Sequence, residues 1–247
     1  MKCVRFSQFA AALAISTAML AAAAVARDAQ PNVAVTPAPR LDAGWQQRHE
    51  AMNARVKQGN VDLLFIGDSI TQGWEAEGKE VWNKFYAQRN AVNLGIGGDQ
   101  TQHVLWRLDH GNIDGISPKL AVVMIGTNNA GHAPRQPAER NAEGVKAIVE
   151  RLRAKLPKTK ILLLGIFPRG ADNKDPLRQI NVKVNAIISK LADGKNVYYL
   201  DIGPRFLSAD DAISKEVMPD LLHLNAMSYE TWAEAIEPMV AKLMGEK

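Results

Sequence analysis

Five short apolar runs, at 61–66, 91–94, 120–125, 161–167 and 197–201, each break off in Gly, Asp, Asn or Pro, and stretches with helical spacing of apolar residues separate them. The run 120–125 contains no polar residue, as expected of a strand covered on both faces by helices. Strand, helix and strand repeated with right-handed crossovers build a doubly wound α/β sheet, so the pattern predicts one domain of that class with helices over 41–58, 79–89, 101–111, 138–156, 176–191 and 227–244. Such sheets bind ligands beyond the carboxyl ends of their strands. The residues just past each run therefore carry the functional reading.

After the first run stand Gly67-Asp68-Ser69-Ile70, and Ser69 is either a nucleophile, if a base removes its proton, or a cap of the following helix. After the second stand Gly95-Ile96-Gly97-Gly98-Asp99. A dinucleotide loop would need glycine where Gln100 stands, so a Rossmann cofactor site is discounted. Backbone without side chains can instead approach a ligand closely and aim amides at developing negative charge. The third run ends in Gly126-Thr127-Asn128-Asn129, where Asn128 is either a further donor to such an anion or a turn residue. Near the end, Asp220 and His223 lie three apart in a loop before the last helix. That spacing lets the carboxylate hold one imidazole nitrogen while the other faces a nucleophile, although a structural histidine near a helix start has the same spacing. His49, within the first amphipathic helix, is read as solvent-facing or hydrogen-bonded at the helix surface. Arg107, Arg169 and Arg178 are read as structural ion pairs with neighbouring acids, with binding of an anionic substrate as the alternative.

The amino end is of another kind. Residues 1–26 carry Lys2 and Arg5, then an apolar stretch, then Ala24-Val25-Ala26, the pattern of a secretory signal cleaved after Ala26; uncleaved, it would serve as a membrane anchor. Residues 27–40, with Pro31, Pro37 and Pro39, read as a flexible leader, and the domain is expected over 41–247. Cleavage removes Lys2 and Arg5 and no acid, taking the formal charge from +4 to +2. No basic run interleaved with aromatics remains to suggest a nucleic-acid surface. The one cysteine, Cys3, lies in the signal, which excludes a disulfide, a thiol nucleophile or a cysteine metal site in the exported protein.

Taken in order, Gly67-Asp68-Ser69-Ile70, Gly95-Ile96-Gly97-Gly98-Asp99, Gly126-Thr127-Asn128-Asn129 and Asp220-Leu221-Leu222-His223 resemble the four blocks of the SGNH, or GDSL-type, esterases and lipases. Around them, His103-Val104-Leu105-Trp106-Arg107-Leu108, Pro168-Arg169-Gly170 and Pro176-Leu177-Arg178-Gln179 are similar to the platelet-activating-factor acetylhydrolase type Ib catalytic subunits. The resemblance implies a flavodoxin-like, mainly parallel sheet of about five strands and neither cofactor nor metal. It also implies Ser69 as nucleophile, His223 as base, Asp220 as its orienter, and an oxyanion hole from the Ser69 amide, the Gly98 amide and the Asn128 side chain. Two features depart from the acetylhydrolase subunits: the export signal, and a loop after Ser69 bearing Trp74, Glu75 and Glu77.

The expected protein is an exported serine ester hydrolase that removes short acyl groups, acetyl above all, from a carbohydrate or other small ester. Ile70 and Leu222 are the expected walls of its substrate pocket, with core packing as the alternative, and Trp74 either lines that pocket or is packed under the loop. A lysophospholipase or thioesterase acting on lipid is the alternative within enzymes, and a binding module on the same fold the alternative outside them. No nucleic-acid partner is expected, nor a stable membrane anchor once the signal is cleaved.

Overall fold

The computed structural model of the chain describes residues 31–246; the expected signal and its cleavage point lie outside the described residues. Five strands, β1 (Leu63–Gly67), β2 (Ala91–Gly95), β3 (Leu120–Met124), β4 (Lys160–Leu164) and β5 (Val197–Leu200), form one all-parallel sheet in the order β2-β1-β3-β4-β5. This is the flavodoxin-like doubly wound order, with its switch point between β1 and β3. Helix α1 (Ala43–Lys57) precedes β1; parallel neighbours need crossovers, which α2 (Ser69–Gln72), α3 (Lys79–Phe85), α4 (Thr101–Asp109), α5 (Thr127–Gly131), α6 (Ala138–Lys155) and α7 (Pro176–Ile188) supply, and α8 (Ala226–Met244) follows β5.

Alternation along the strands sorts the core into two layers. Leu64, Ile66, Val92, Leu94, Ala121 and Val123 join Trp45, Met52, Val104, Val145 and Val184 on one face. Leu63, Phe65, Leu120, Val122, Leu162 and Leu164 join Trp74, Tyr86, Trp232 and Ile236 on the other. Register then places the site: Gly67 is level with Gly95 on one side and with Met124 on the other, so three strands end together. The segments that leave those three ends meet at one edge of the sheet.

Four readings are refined. The fourth run pairs over Lys160–Leu164, Gly165 N makes the last bond to β5 at Leu200 O, 3.0 Å, and the buried continuation Ile166 and Phe167 turns out of the ladder. Two short helices, α2 and α5, start at Ser69 and Thr127; the first is capped by Asp68 and not by Ser69, and the second stands where sequence shows only turn residues. His49 is buried, not solvent-facing, and lies near the side-chain amides of Asn53 and Asn112 at 3.1 and 3.2 Å. Burial lowers its pKa to about 4, so the ring is neutral. Finally, part of the Pro-rich leader is tied to the domain: Thr101 Oγ1 donates to Ala34 O at 2.8 Å and Ala38 N to Gln102 O at 3.2 Å. Proline removes donors, but the carbonyls and intervening amides remain to bond. No helix among the described residues is long and apolar enough to cross a membrane.

Candidate active site

Ser69 is the first residue of α2, immediately past the buried end of β1. Asp68 caps that helix through Oδ1, which accepts from Ile70 N at 3.0 Å. A residue at the first helical position has no intrahelical acceptor for its amide, so Ser69 offers both a hydroxyl and a donor N–H at the strand tip. The turn is tight: a Cβ on Gly67 would lie 2.1 Å from Thr71 Oγ1 and 2.5 Å from Met124 O. Only glycine lets the chain reverse there. Asp68 is itself buried, and burial pushes its carboxyl up to about 7 against the pull of the Ile70 amide, with the Asp99 charge adding to the rise.

Ser69 Oγ lies 2.8 Å from His223 Nε2, and His223 Nδ1 lies 2.6 Å from Asp220 Oδ2. The other oxygen of Asp220 accepts from the amides of Leu222, at 3.0 Å, and His223, at 2.7 Å. Burial works against ionisation of Asp220, yet those amides and the imidazole outweigh it and hold the carboxyl below its ordinary value. The loop is folded back at Leu221, whose φ of 62° lies in the left-handed region, an arrangement that costs on the order of 1–3 kcal/mol in a residue with a side chain. Gly170 N, donating to Leu221 O at 2.9 Å, supports it from the loop after β4. An orienting carboxylate, an imidazole and a hydroxyl in one hydrogen-bonded line can transfer the serine proton.

Across the same edge, the glycine turn after β2 packs on the serine: a Cβ on Gly97 would lie 3.7 Å from Ser69 Cβ, and Gly97 N donates to Gln72 Oε1 at 2.7 Å. Gly98 has φ 79°, a conformation glycine adopts without strain. Asn128 is buried on α5 and its Nδ2 donates to Asp99 O at 3.0 Å, which fixes the amide plane and leaves a second N–H for a ligand. Asn128 is thus fixed beside the glycine turn by a side-chain bond, more than a turn residue requires.

Beneath this edge lies an ion pair that the sequence leaves open. Arg107 is fully buried; its Nε donates to Asp99 Oδ2 at 2.9 Å, Nη1 to Asn112 Oδ1 at 2.5 Å, and Nη2 to Leu94 O at 3.0 Å. Trp45 Nε1 donates to the other Asp99 oxygen at 2.7 Å. Arg107 is therefore structural, as the ion-pair reading has it. Arg178 is also structural, but through backbone carbonyls of Arg169, Gly170 and Asp211, each at 2.6 Å, with no carboxylate bonded to it among the described residues. Arg169 reaches Thr127, beside Asn128, at 3.2 Å from Oγ1.

Of the expected pocket walls, two are elsewhere. Ile70 and Trp74 are each 1% exposed and belong to the core under the loop; Trp74 packs on Tyr229 at 4.6 Å and on Trp232 at 4.9 Å between ring centroids. Aromatic side chains of this size gain more from such burial than a polar loop sequence suggests. Leu222 alone remains partly exposed beside His223. Asp68, Gln72 and Arg40, which contact the serine helix or the glycine turn, were not identified from sequence. Asp68 lies inside the Gly67-Asp68-Ser69-Ile70 block and was the one with a visible signal.

A strand-tip serine relayed through histidine to aspartate on a flavodoxin-like sheet defines the class of carboxylic ester hydrolases. The chain belongs to the GDSL-like lipase/acylhydrolase family, whose match covers residues 65–231. It is 36% identical over 222 residues to human platelet-activating factor acetylhydrolase IB subunit alpha1, covering 88% of this chain and 93% of that one, and 38% identical over 206 residues to the rat alpha2 subunit, covering 83% and 87%. Among solved structures it resembles a GDSL-like lipase from Bacteroides thetaiotaomicron, with TM-score 0.64 at 18% identity over 79% of this chain and 97% of that one. It also resembles an acetylxylan esterase from Geobacillus stearothermophilus, with TM-score 0.58 at 19% identity over 76% and 96%. At those identities the likeness is one of fold.

Proposed function

We propose that the chain is an exported serine ester hydrolase that removes acetyl or other short acyl groups from a carbohydrate or small-molecule ester through an acyl-enzyme. The observation that carries this reading is the continuous line from Ser69 Oγ through His223 to Asp220, with separations of 2.8 and 2.6 Å. Ser69 Oγ attacks the ester carbonyl carbon as His223 Nε2 takes its proton. The carbonyl oxygen becomes an oxyanion facing the amides of Ser69 and Gly98 and the Asn128 side chain. Collapse of the tetrahedral species expels the alcohol, which receives the proton from His223. Water then attacks the acyl-serine by the same route, and the acid departs.

The acetyl assignment draws on the relatives' acetylhydrolase names and on Leu222 beside His223; the carbohydrate leaning draws on the acetylxylan esterase that shares the fold. Export draws on residues 1–26 of the sequence alone. Purified protein is treated with a fluorophosphonate and its peptides mapped by mass; the adduct is expected on Ser69, and a label on another serine overturns the reading. Specificity constants for nitrophenyl acetate, butyrate and octanoate are expected to fall in that order. A maximum at butyrate or beyond moves the lipid or thioester hydrolase ahead.

A further inference from the structure

Arg40 is the last residue of the Pro-rich segment, outside the expected domain, yet its side chain reaches the functional edge. Its Nη1 donates to Gly97 O at 2.6 Å and lies 3.7 Å from Asp99 Oδ1, while its Nε donates to Asp42 Oδ2 at 3.1 Å. Asp42 in turn caps α1 through Trp45 N at 2.9 Å. The guanidinium is thus held by two carboxylates of the domain and points at one peptide group. That peptide joins Gly97 to Gly98, so the carbonyl Arg40 holds and the Gly98 amide are opposite ends of one planar unit. A Cβ on Gly98 would lie 3.0 Å from Arg40 Nη1, so the guanidinium also lies against the Gly98 backbone.

We propose that Arg40 is a positioning residue of the oxyanion hole, fixing and polarising the Gly97–Gly98 peptide so that the Gly98 amide donates to the developing oxyanion. Two glycines in sequence can rotate the peptide between them with little steric cost, and a rotated peptide would present its carbonyl to the oxyanion. Arg40 opposes this by fastening the carbonyl at the far side. A charge-assisted bond to that oxygen also strengthens the N–H at the other end, because hydrogen bonds through one amide polarise each other, by roughly 10–30% per bond. Gln72, accepting from Gly97 N, fixes the preceding peptide, so Gly97 is held on both sides. The inference rests on the reading of Gly98 as an oxyanion donor.

The test compares the full chain with Arg40→Met, Arg40→Lys and Ser69→Ala on nitrophenyl acetate, together with binding of a boronic acid that forms a tetrahedral adduct on the serine. Arg40→Met is expected to lower kcat roughly tenfold, a fraction of the 100- to 1,000-fold lost with a whole oxyanion donor, and to weaken boronate binding by a similar factor. KM should stay within about twofold, because the interaction is made in the transition state. Arg40→Lys, which keeps a charged donor, should recover much of the loss. A merely tethering role would lower the melting temperature and leave kcat alone. Normal kcat and boronate affinity in Arg40→Met overturn the proposal, as does a kcat loss that Arg40→Lys does not relieve. Should Arg40→Met not fold, Arg40→Gln, too short to reach Gly97 O, replaces it with the same criteria. Full turnover in Ser69→Ala overturns the hydrolase reading itself and the role of Arg40 with it, whereas a Ser69-dependent enzyme indifferent to Arg40 overturns the latter alone.

Discussion

Replacing Asp220 by asparagine should damage catalysis more than replacing it by alanine, although asparagine is the closer mimic. The reason is the division of labour between its oxygens. Oδ1 accepts from two backbone amides, Leu222 at 3.0 Å and His223 at 2.7 Å, while Oδ2 faces His223 Nδ1 at 2.6 Å. In Asp220→Asn the side-chain oxygen is claimed by the two amides, since an NH2 group there would meet two donors. The NH2 group then faces Nδ1 and donates to it, which locks the imidazole with its proton on Nε2, aimed at Ser69. A base in that tautomer cannot accept the serine proton.

The magnitudes depend on exposure. Two unit charges about 4 Å apart interact by about 1 kcal/mol in water and about 4 kcal/mol at an effective dielectric of 20. The Asp220 and His223 side chains are 55% and 44% exposed, so screening keeps the support for the imidazolium near the lower end, about 1–2 kcal/mol. Asp220→Ala loses that much, roughly 5- to 30-fold in kcat, since water can take its place at Nδ1. Asp220→Asn loses it too and must also break a hydrogen bond and oppose two donors to reach the productive tautomer, about 2–3 kcal/mol more, for a total of roughly 200- to 5,000-fold. Stability should run the other way: alanine abandons both amides in a loop already folded back at Leu221, and asparagine keeps them. Steady-state kcat and thermal melts of both variants test the pair of orders together. Activity in Asp220→Asn equal to or above that of Asp220→Ala refutes the tautomer argument.

Asn128→Ala should lower kcat on the order of 100- to 1,000-fold with KM little changed, measured on nitrophenyl acetate; near-normal turnover would make Asn128 a turn residue. Asp68→Asn keeps the cap on Ile70 N and removes a carboxyl whose folded pKa is raised from 3.8 to about 7. A raised acid supports the fold fully below the unfolded value and loses that support as pH climbs through the folded one, so the melting temperature of the variant relative to wild type should rise between pH 4 and 8; a constant difference contradicts it. Trp74→Ala should cost about 3–5 kcal/mol in denaturant unfolding, whereas Trp74→Phe, which also deletes an indole N–H that finds no partner among the described residues, should keep the acyl-chain profile unchanged. A shifted profile in Trp74→Phe would return that residue to the pocket wall.

The strands were legible because each is a short apolar run closed by a turn residue, and a parallel sheet leaves few arrangements for five of them. Ser69 and Asn128 stand just past such ends, Asp220 and His223 in the loop before the last helix, and residue type made them candidates; the structure brings Ser69, His223 and Asp220 into one hydrogen-bonded line. Trp74 stays open between pocket wall and packing under the loop in the sequence, because its neighbours Glu75 and Glu77 are polar and the partners that bury it, Tyr229 and Trp232, come from the far end of the chain. His49 shows the same limit: helical spacing says which residues share a face, and only the neighbouring helix decides whether that face is wet. Arg40 was hidden for a different reason. Proline-rich composition predicts little burial of its own, and it says nothing of a single long side chain that reaches back to a carbonyl.

The candidate site is built in two halves of unequal burial, and the proposed mechanism gives them unequal tasks. Ser69, Gly98 and Asn128 sit at three level strand ends over a buried lattice of Asp99, Arg107 and Trp45. There a displaced donor would have to carry buried charge with it, which the low dielectric makes costly. Electrostatic stabilisation works only when donors are in place before charge develops, so this half must be fixed. Asp220 and His223 instead ride on an exposed loop. In the proposed mechanism a base accepts a proton from the serine and delivers it to the departing alcohol, and the line from Ser69 through His223 to Asp220 keeps the imidazole in place for both.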